Sequence, residues 1–272
     1  MNQRLYWWSE CFIQKKPYEN YGDLIGAYLF GKITGEKPLF YRKKDKPWWR
    51  RHKSYYATCG SIISHLDEKA IVWGSGIIHQ DSKVPKATFL AVRGPLSRKR
   101  ILESHIDCPT IYGDPALLLS HYYKSKKVKT AAVGIIPHIN DYQKIKEWYK
   151  NIEEIKVINL NTNDVESTTN EIVSCERIIS SSLHGLIVPH SYGIPSMHVE
   201  FSKNIHGDGI KYLDYFESVQ LESMVTPFID TKQKLDRLIH QTVGFHLPNK
   251  ELITKLCMGL MDTCPFKPLK NG

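Results

Sequence analysis

The chain has 272 residues, with 37 Lys and Arg against 28 Asp and Glu, and its formal net charge is +9. With 42% hydrophobic and 24% charged residues, the composition is that of a globular protein and excludes a disordered chain, a collagen-like repeat and a coiled coil. No apolar run approaches the ~18 residues of a membrane helix. We expect no signal peptide, because the first residues contain no uninterrupted apolar core followed by a cleavage site. These features predict a soluble, cytoplasmic protein.

The positive charge is concentrated in one half of the chain. Residues 1–129 carry a balance of +12 and residues 130–272 a balance of −3. A basic half favours an acidic partner such as a phosphate, a nucleic acid, an anionic sugar or a membrane surface. The densest segment, residues 32–53, holds nine cations, two acids and the pair Trp48 and Trp49. A solvated loop is one interpretation, but the tryptophans favour contact with a sugar or a membrane interface, because indole joins an apolar face to a polar N–H.

Short apolar runs alternate with helical patterns along the chain. Glycine and proline at residues 94 and 95 mark the start of one helix. Strands are predicted at residues 70–73, 87–92, 110–112, 130–136, 154–160, 177–180 and 195–199, and helices over 24–33, 141–151, 165–174 and parts of 233–272. Strands that alternate with helices predict a parallel, doubly wound sheet.

A lysine-rich joint near residues 122–129 separates two such series. The pattern therefore predicts an α/β fold with two Rossmann-like lobes. We expect a basic N-terminal lobe over residues 1–125, a C-terminal lobe over 126–245 and a helical closure over 246–272.

Signatures of the common cofactors are missing from the sequence. It contains neither the G-x-G-x-x-G dinucleotide fingerprint nor a P-loop. Its six cysteines form no C-x-x-C pair and its twelve histidines no zinc-binding pattern, so we expect reduced thiols and no metal.

Polar turns follow several of the predicted strands. Ligands of open α/β sheets bind beyond the carboxyl ends of strands, and helix N-termini at such turns suit phosphate or carboxylate. For Asn20 and Asp23, capping of the next helix is an equally open interpretation. The turns are residues 20–23, Gly74-Ser75-Gly76, Arg93-Gly94, Gly113-Asp114-Pro115 and residues 180–185.

Two side chains in these turns suggest chemistry. Arg93 directly follows an apolar strand, where its planar guanidinium could bind an anion, or alternatively form a salt bridge with Asp114. Arg98, one helical turn later, could face the same anion or solvent. His184 lies between three serines and a glycine at a strand-to-helix turn, where an imidazole can donate a proton to a ligand. The G-x-S-x-G motif is absent, which disfavours a serine hydrolase.

Six separated motifs lie between residues 18 and 220: NYGD, VWGSGI, FLAVRGPLSRKRILE, IYGDPALLL, SSSLHGLIVPHSYGIPS and GDGIKYLDYF. Together, and in this order, they resemble the motifs of the bacterial polysaccharide pyruvyltransferases. The serine at position 182 resembles the form found in the exopolysaccharide ketal-pyruvate branch of that family. The resemblance implies a glycosyltransferase-B-like architecture with the active site in the cleft between the lobes. It also implies phosphoenolpyruvate as the donor, with no cofactor, and pyruvate delivered as a ketal across two sugar hydroxyls.

The resemblance also assigns residues. His184 of LHG matches the family's catalytic histidine, and Arg93 of VRG matches an arginine expected to hold the donor. Many members have an arginine where this chain has Ser182, so Arg98 or Lys211 would have to supply the missing charge, or the donor differs. We predict His184 and Arg93 as catalytic, and as substrate-binding Asn20, Asp23, Gly74, Ser75, Gly76, Arg98, Asp114, Ser181, Ser182, Gly185, Glu200 and Lys211.

The expected partners are phosphoenolpyruvate and a saccharide acceptor, in a lipid-linked or cell-envelope glycan precursor at the cytoplasmic face of the membrane. Residues 32–53 leave open a peripheral membrane contact, and no nucleic acid is expected. One alternative is a nucleotide-sugar-dependent glycosyltransferase of the same fold, in which Glu200 would bind hydroxyls of the donor. Another is a non-catalytic polyanion-binding protein that uses the basic lobe.

Overall fold

The computed structural model describes residues 3–45, 47, 53–125, 128–150, 152–203, 206–222, 225–241 and 243–266. The Trp48 and Trp49 pair, on which the sequence analysis placed a sugar or membrane contact, lies outside these residues. Within the described part, no helix combines the length and the apolar character needed to span a bilayer.

The first half of the chain forms a sheet of five short parallel strands. Their order across the sheet is β3-β1-β4-β5-β6, with β1 at Arg4–Tyr6, β3 at Leu39–Phe40, β4 at Tyr55–Ala57, β5 at Ala70–Trp73 and β6 at Thr88–Ala91. The sequence analysis predicted β5 and β6 but not the other three. The strand predicted at residues 110–112 is wrong, since only one bridge, between Val92 and Tyr112, forms there before Gly113 and Pro115 turn the chain.

The second half forms a sheet of four parallel strands in the order β11-β10-β7-β8. These are β7 (Ala131–Ile136), β8 (Ile155–Val157), β10 (Cys175–Ser180) and β11 (Ser196–His198). Three of them lie inside the predicted strands, and β10 begins two residues before the predicted start at residue 177. A two-residue ladder joins the halves, because β2 (Glu19–Asn20) pairs antiparallel with β9 (Asn161–Thr162).

Helices surround and connect these sheets. They are α1 (Glu10–Gln14), α2 (Tyr21–Thr34), α3 (Pro95–Glu103), α4 (Leu119–Tyr122), α5 (Tyr142–Trp148), α6 (Val165–Val173), α7 (His184–Ser191), α8 (Ile210–Ser218), α9 (Lys232–Ile239) and α10 (Lys250–Asp262). The α/β class with parallel sheets is thus confirmed, and it is compatible with Rossmann-like units.

The largest hydrophobic core contains residues from both halves of the chain. Leu29 of α2, Leu117 of the short helix Pro115–Leu118 and Ile187 of α7 are fully buried in it. The C-terminal helix α10 closes this core against the first sheet, where the indole N–H of Trp73 donates to the Leu260 carbonyl at 2.8 Å. This shared core fixes the N-terminus of α2 and the N-terminus of α7 relative to one another.

Candidate functional site

His184 stands at the start of α7, just beyond the carboxyl end of β10. The preceding serines build the turn: Ser180 Oγ donates to the Ile136 carbonyl at 2.8 Å and accepts from the Ser182 N–H at 2.9 Å. Ser181 Oγ accepts from the His138 N–H at 2.8 Å. The hydroxyl groups of Ser180 and Ser181 therefore stabilise the turn that positions the His184 imidazole.

Two residues from other segments enclose the His184 ring. Nε2 of His184 lies 3.7 Å from Oδ2 of Asp114, and the residues are 7% and 0% exposed. On the other edge, a Cβ on Gly22 would overlap the ring at Nδ1, so only glycine fits there. Gly185 is restricted in the same way, because a Cβ would overlap Ser180 Oγ. The imidazole is held between α2 and the Asp114 carboxylate.

Asp114 combines a structural and an electrostatic role. Its Oδ1 accepts from the Ala116 N–H at 3.0 Å and caps the short helix Pro115–Leu118. Burial pushes the pKa of this carboxyl upward, but the nearby His184 imidazole, together with the Ala116 N–H, brings the net pKa below its ordinary value. Asp114 therefore stays ionised and can orient His184.

Asp23 lies in the first turn of α2, close to His184. Its Oδ1 would be 3.1 Å from a Cβ on Gly60, whose φ of +99° already requires glycine. Burial, helped by Glu10, raises the pKa of Asp23 to about 7, against the opposing charges of His184 and Lys211. A carboxyl that titrates near neutrality can serve as a general base.

Lys211, on α8, is a cation whose charge acts on the Asp23 carboxyl. Burial, with the nearby charge of Arg93, lowers its pKa to about 8, while Asp23 opposes the shift. Its Nζ lies 5.2 Å from the ring centroid of Tyr212 and donates to the His206 carbonyl at 3.2 Å. A partly desolvated ammonium of this kind suits an anionic ligand.

Two histidines that the sequence analysis did not single out share this electrostatic environment. Burial first and the charge of Lys211 second lower the pKa of His138, and they lower that of His198 to about 4. The His198 ring stacks on Tyr212 at 4.0 Å, and the Tyr212 hydroxyl donates to the Ser181 carbonyl at 2.8 Å. His138 follows the end of β7, so the carboxyl-end rule that identified His184 would also have found it.

Arg93 is fully buried and paired within the protein. Its Nε donates to Asp214 Oδ2 at 2.9 Å, Nη1 to Ser61 Oγ at 2.7 Å and Nη2 to the Ile77 carbonyl at 2.7 Å. The salt bridge to Asp114 that was considered from the sequence does not form, because Arg93 pairs with Asp214 on α8 instead. A Cβ on Gly76 would overlap the guanidinium, which explains the glycine after Ser75.

The remaining predicted residues have structural contacts. Asn20 caps α2 by accepting from the Gly22 N–H at 3.0 Å, as the capping interpretation proposed. Ser75 Oγ donates to the Thr58 carbonyl. Gly74, with φ of +89°, packs against Pro115.

Three more residues were predicted to bind substrate, namely Arg98, Glu200 and Ser182. Arg98 Nε donates to the Cys108 carbonyl at 3.1 Å, away from the His184 group. Glu200 follows β11 and exchanges backbone hydrogen bonds with residues 227 and 229. Ser182 is half-buried, and its hydroxyl has no hydrogen-bond partner among the described residues.

One group of side chains at this site has the donor types of a metal centre. Cys59 Sγ, an oxygen of Asp114 and a nitrogen of His184 lie within 4.8 Å of one another, and all three residues are buried. Burial first, and then Asp114, raise the pKa of the Cys59 thiol well above its ordinary value, so the thiol keeps its proton. The three residues come from distant segments, and no sequence spacing could have indicated the group.

Comparisons with known proteins cover most of the chain. A family model described as Polysaccharide pyruvyl transferase matches residues 7–202. An uncharacterized protein of Acanthamoeba polyphaga mimivirus is 30% identical over 211 residues, which cover 75% of this chain and 72% of that protein. The range of the family model includes Asp23, Asp114 and His184, whereas Lys211 and Asp214 lie beyond it.

Proposed function

Since the chain belongs to the polysaccharide pyruvyl transferase family, we propose that it transfers pyruvate from phosphoenolpyruvate to a sugar of a cell-surface glycan, or of its lipid-linked precursor, as a ketal. The observation that carries this proposal is the group of His184, Asp114 and Asp23. It places a histidine oriented by an ionised carboxylate beside a second carboxyl whose pKa is about 7. Such a group supplies an acid and a base for one reaction at neutral pH.

The first step is protonation of the donor. His184 gives its proton to the methylene carbon of phosphoenolpyruvate, which becomes a methyl group, and positive charge develops at C2. Asp114, 3.7 Å from Nε2, holds the ring in position and stabilises its protonated form. Protonation of the enol phosphate thereby makes C2 electrophilic without a redox change.

The second step forms two C–O bonds. Asp23 accepts the proton of one sugar hydroxyl as its oxygen adds to C2. The oxygen of a second hydroxyl then displaces the phosphate, which leaves with the second hydroxyl proton. The products are a cyclic pyruvate ketal and inorganic phosphate. Asp23 then releases the proton that it accepted to solvent, and His184 takes up a proton from solvent, which restores both groups.

The donor's anionic groups need cations. We assign Lys211 to the phosphate or carboxylate of phosphoenolpyruvate, because Arg93 already donates to three acceptors of the protein. The backbone N–H groups at the start of α7 add a positive dipole end. This assignment supplies the charge that Ser182 cannot.

We also propose how the two sheets are arranged around the reaction. A glycosyltransferase-B-like arrangement would have the first sheet on the acceptor side and the second on the donor side, with the reaction between them. His184 comes from the second half of the chain, and Asp23 and Asp114 from the first, which supports this arrangement. The enzyme would then act at the cytoplasmic face of the cell membrane in exopolysaccharide synthesis, without a metal or redox cofactor.

The experiment that tests this function supplies two donors separately. The protein is incubated with a crude glycan acceptor and either ¹⁴C-labelled phosphoenolpyruvate or a labelled UDP-sugar. Label transferred from phosphoenolpyruvate, with release of phosphate, supports pyruvyl transfer. Label transferred only from the UDP-sugar would replace it with the glycosyltransferase alternative, and transfer from neither donor would contradict both.

A further inference from the structure

A cavity of about 320 Å³ lies on the first sheet, beside the basic residues 42–44. Its walls combine aromatic rings with side chains of both charges, and none of the proposed catalytic residues lines it. Its lining includes Tyr6, Trp8, Arg42, Lys44, His65 and Asp67. A concave site with ring surfaces and a few converging polar groups is a typical small-ligand site.

The aromatic side chains form a preformed apolar surface. The Trp8 and His65 rings lie 5.0 Å apart between centroids, at 37° to one another. Tyr6 meets Tyr55 edge to face, with centroids 6.5 Å apart. Rings held by such contacts can receive the C–H face of a sugar with little loss of conformational entropy.

The charged side chains around the cavity are already partly paired. Arg42 lies 3.6 Å from Asp45, and Lys43 lies 3.7 Å from Asp67 and 3.0 Å from Glu68. Lys44 is exposed and has no ion pair with any residue in the described ranges. Because Arg42 and Lys43 are already paired, the polar side chains suit the hydroxyl groups of a sugar better than a diphosphate, which would need several unpaired cations.

The cavity lies next to the proposed catalytic group. Tyr6 ends β1 at its carboxyl end, the end of a parallel sheet at which ligands bind. Asp23 packs against Gly60, which follows β4, the strand beside β1 in the sheet.

We propose that the cavity lined by Tyr6, Trp8, Arg42 and His65 binds one sugar ring of the acceptor, stacked on Trp8 and hydrogen-bonded by the polar side chains. That the bound sugar is the pyruvylation acceptor rests on the proposed function; that the cavity binds a sugar does not. The segment around Lys43 would then recognise a sugar unit of the glycan, and not a diphosphate of its lipid-linked precursor.

The test measures sugar binding without any donor. Saturation-transfer NMR is recorded on the full-length protein with methyl β-galactoside, methyl α-mannoside and methyl N-acetyl-β-glucosaminide. We expect at least one glycoside to bind, and Trp8→Ala to weaken its binding by about tenfold or more. His65→Ala, at an exposed position that does not endanger folding, should weaken the same glycoside. Trp148→Ala, on α5 and outside the cavity, is the matched control and should bind normally.

The outcomes separate this inference from the proposed function. If no glycoside binds, or if a bound glycoside is unaffected by both Trp8→Ala and His65→Ala, the sugar site is wrong. Preferential binding of a polyanion such as heparin, with no glycoside bound, also overturns it. Glycoside binding that depends on Trp8, together with no pyruvyl transfer, would uphold the sugar site and reject the pyruvyltransferase.

Discussion

Arg93 and Asp214 form an ion pair in which both side chains are fully buried, with Nε of the arginine 2.9 Å from Oδ2 of the aspartate. Asp214 also accepts from the N–H and the hydroxyl of Ser97, at 2.8 and 2.6 Å. Two motifs separated by more than a hundred residues, VRGPLSR and GDGIKYLDYF, therefore meet in one polar cluster. The pair ties α8, which carries Lys211, to the first sheet.

Breaking this pair should cost stability more than donor affinity. Arg93→Ala leaves the Asp214 carboxylate buried without its partner, and we expect the free energy of unfolding to fall by about 3–5 kcal/mol. Lys234→Ala, which removes an exposed ion pair with Asp230, is the control and should change stability little. Urea unfolding measures both variants. If Arg93→Ala keeps its stability but loses affinity for phosphoenolpyruvate, the arginine holds the donor.

His184→Gln should abolish most of the activity without unfolding the protein. Loss of a general acid lowers kcat by roughly 10²–10⁴-fold, and glutamine keeps a polar side chain of similar length against Asp114. The exposed His240, beyond the end of α9, provides the control His240→Gln. Near wild-type kcat in a folded His184→Gln protein would remove the catalytic assignment.

Asp114→Asn tests the positioning role of this carboxylate. The amide cannot stabilise a protonated imidazole, so kcat should fall about 10²-fold or more while the KM for phosphoenolpyruvate changes little. A rise in KM alone would instead indicate that Asp114 binds substrate.

The activity should depend on pH through Asp23 and Lys211. The base form of Asp23 appears as pH rises through about 7, and the ammonium of Lys211 is lost above about 8. We therefore expect kcat/KM to rise towards pH 7 and to fall above pH 8. Asp23→Asn should remove the rising limb, and Lys211→Met the falling one, each with much lower activity. A profile that is flat between pH 6 and 9 contradicts both assignments.

Asp23 also links stability to pH. Its pKa in the folded protein is about 7, above the ordinary 3.8, so between these values the native carboxyl holds a proton that the unfolded chain has released. The contribution of Asp23 to the free energy of unfolding is therefore present below about pH 4 and is lost as pH rises to about 7. Asp23→Asn should flatten this part of the stability profile in urea titrations. An unchanged slope in Asp23→Asn would show that Asp23 titrates normally.

Zinc should inhibit the enzyme, and chelation should not. Cys59, Asp114 and His184 together could hold a zinc ion, and zinc at the imidazole nitrogen would block proton transfer. Cys59→Ala should raise the zinc concentration needed for inhibition, while EDTA leaves the untreated enzyme active. Loss of activity with EDTA, restored by zinc, would instead make the metal part of the mechanism.

The sequence predicted the elements whose patterns are local and strong. Strands such as β7 and β10 are buried apolar runs, which the sequence pattern identifies. His184 follows β10 among small residues, so the candidate acid could also be predicted from the sequence. β1 and β4 are only three residues long, and Cys59 after β4 was missed with them.

Partners across long sequence separations could not be predicted. A buried arginine requires an acid, but nothing in the sequence selects Asp214 over the other acidic residues for Arg93. The contact of Asp114 with His184 likewise depends on the shared core that packs α7 against the short helix Pro115–Leu118. Such contacts follow from tertiary packing, which local patterns do not encode.

The most direct test of pyruvyl transfer with His184 as the general acid is NMR of the complete reaction in D₂O. Phosphoenolpyruvate and the acceptor glycan are mixed with the wild-type protein or with His184→Gln, and ³¹P and ¹H spectra follow phosphate and the ketal methyl group. Pyruvyl transfer with His184 as the acid predicts one phosphate released for each ketal formed and one deuterium in each new methyl group, with neither product from His184→Gln. Phosphate release without a ketal, or equal ketal formation by His184→Gln, would contradict it.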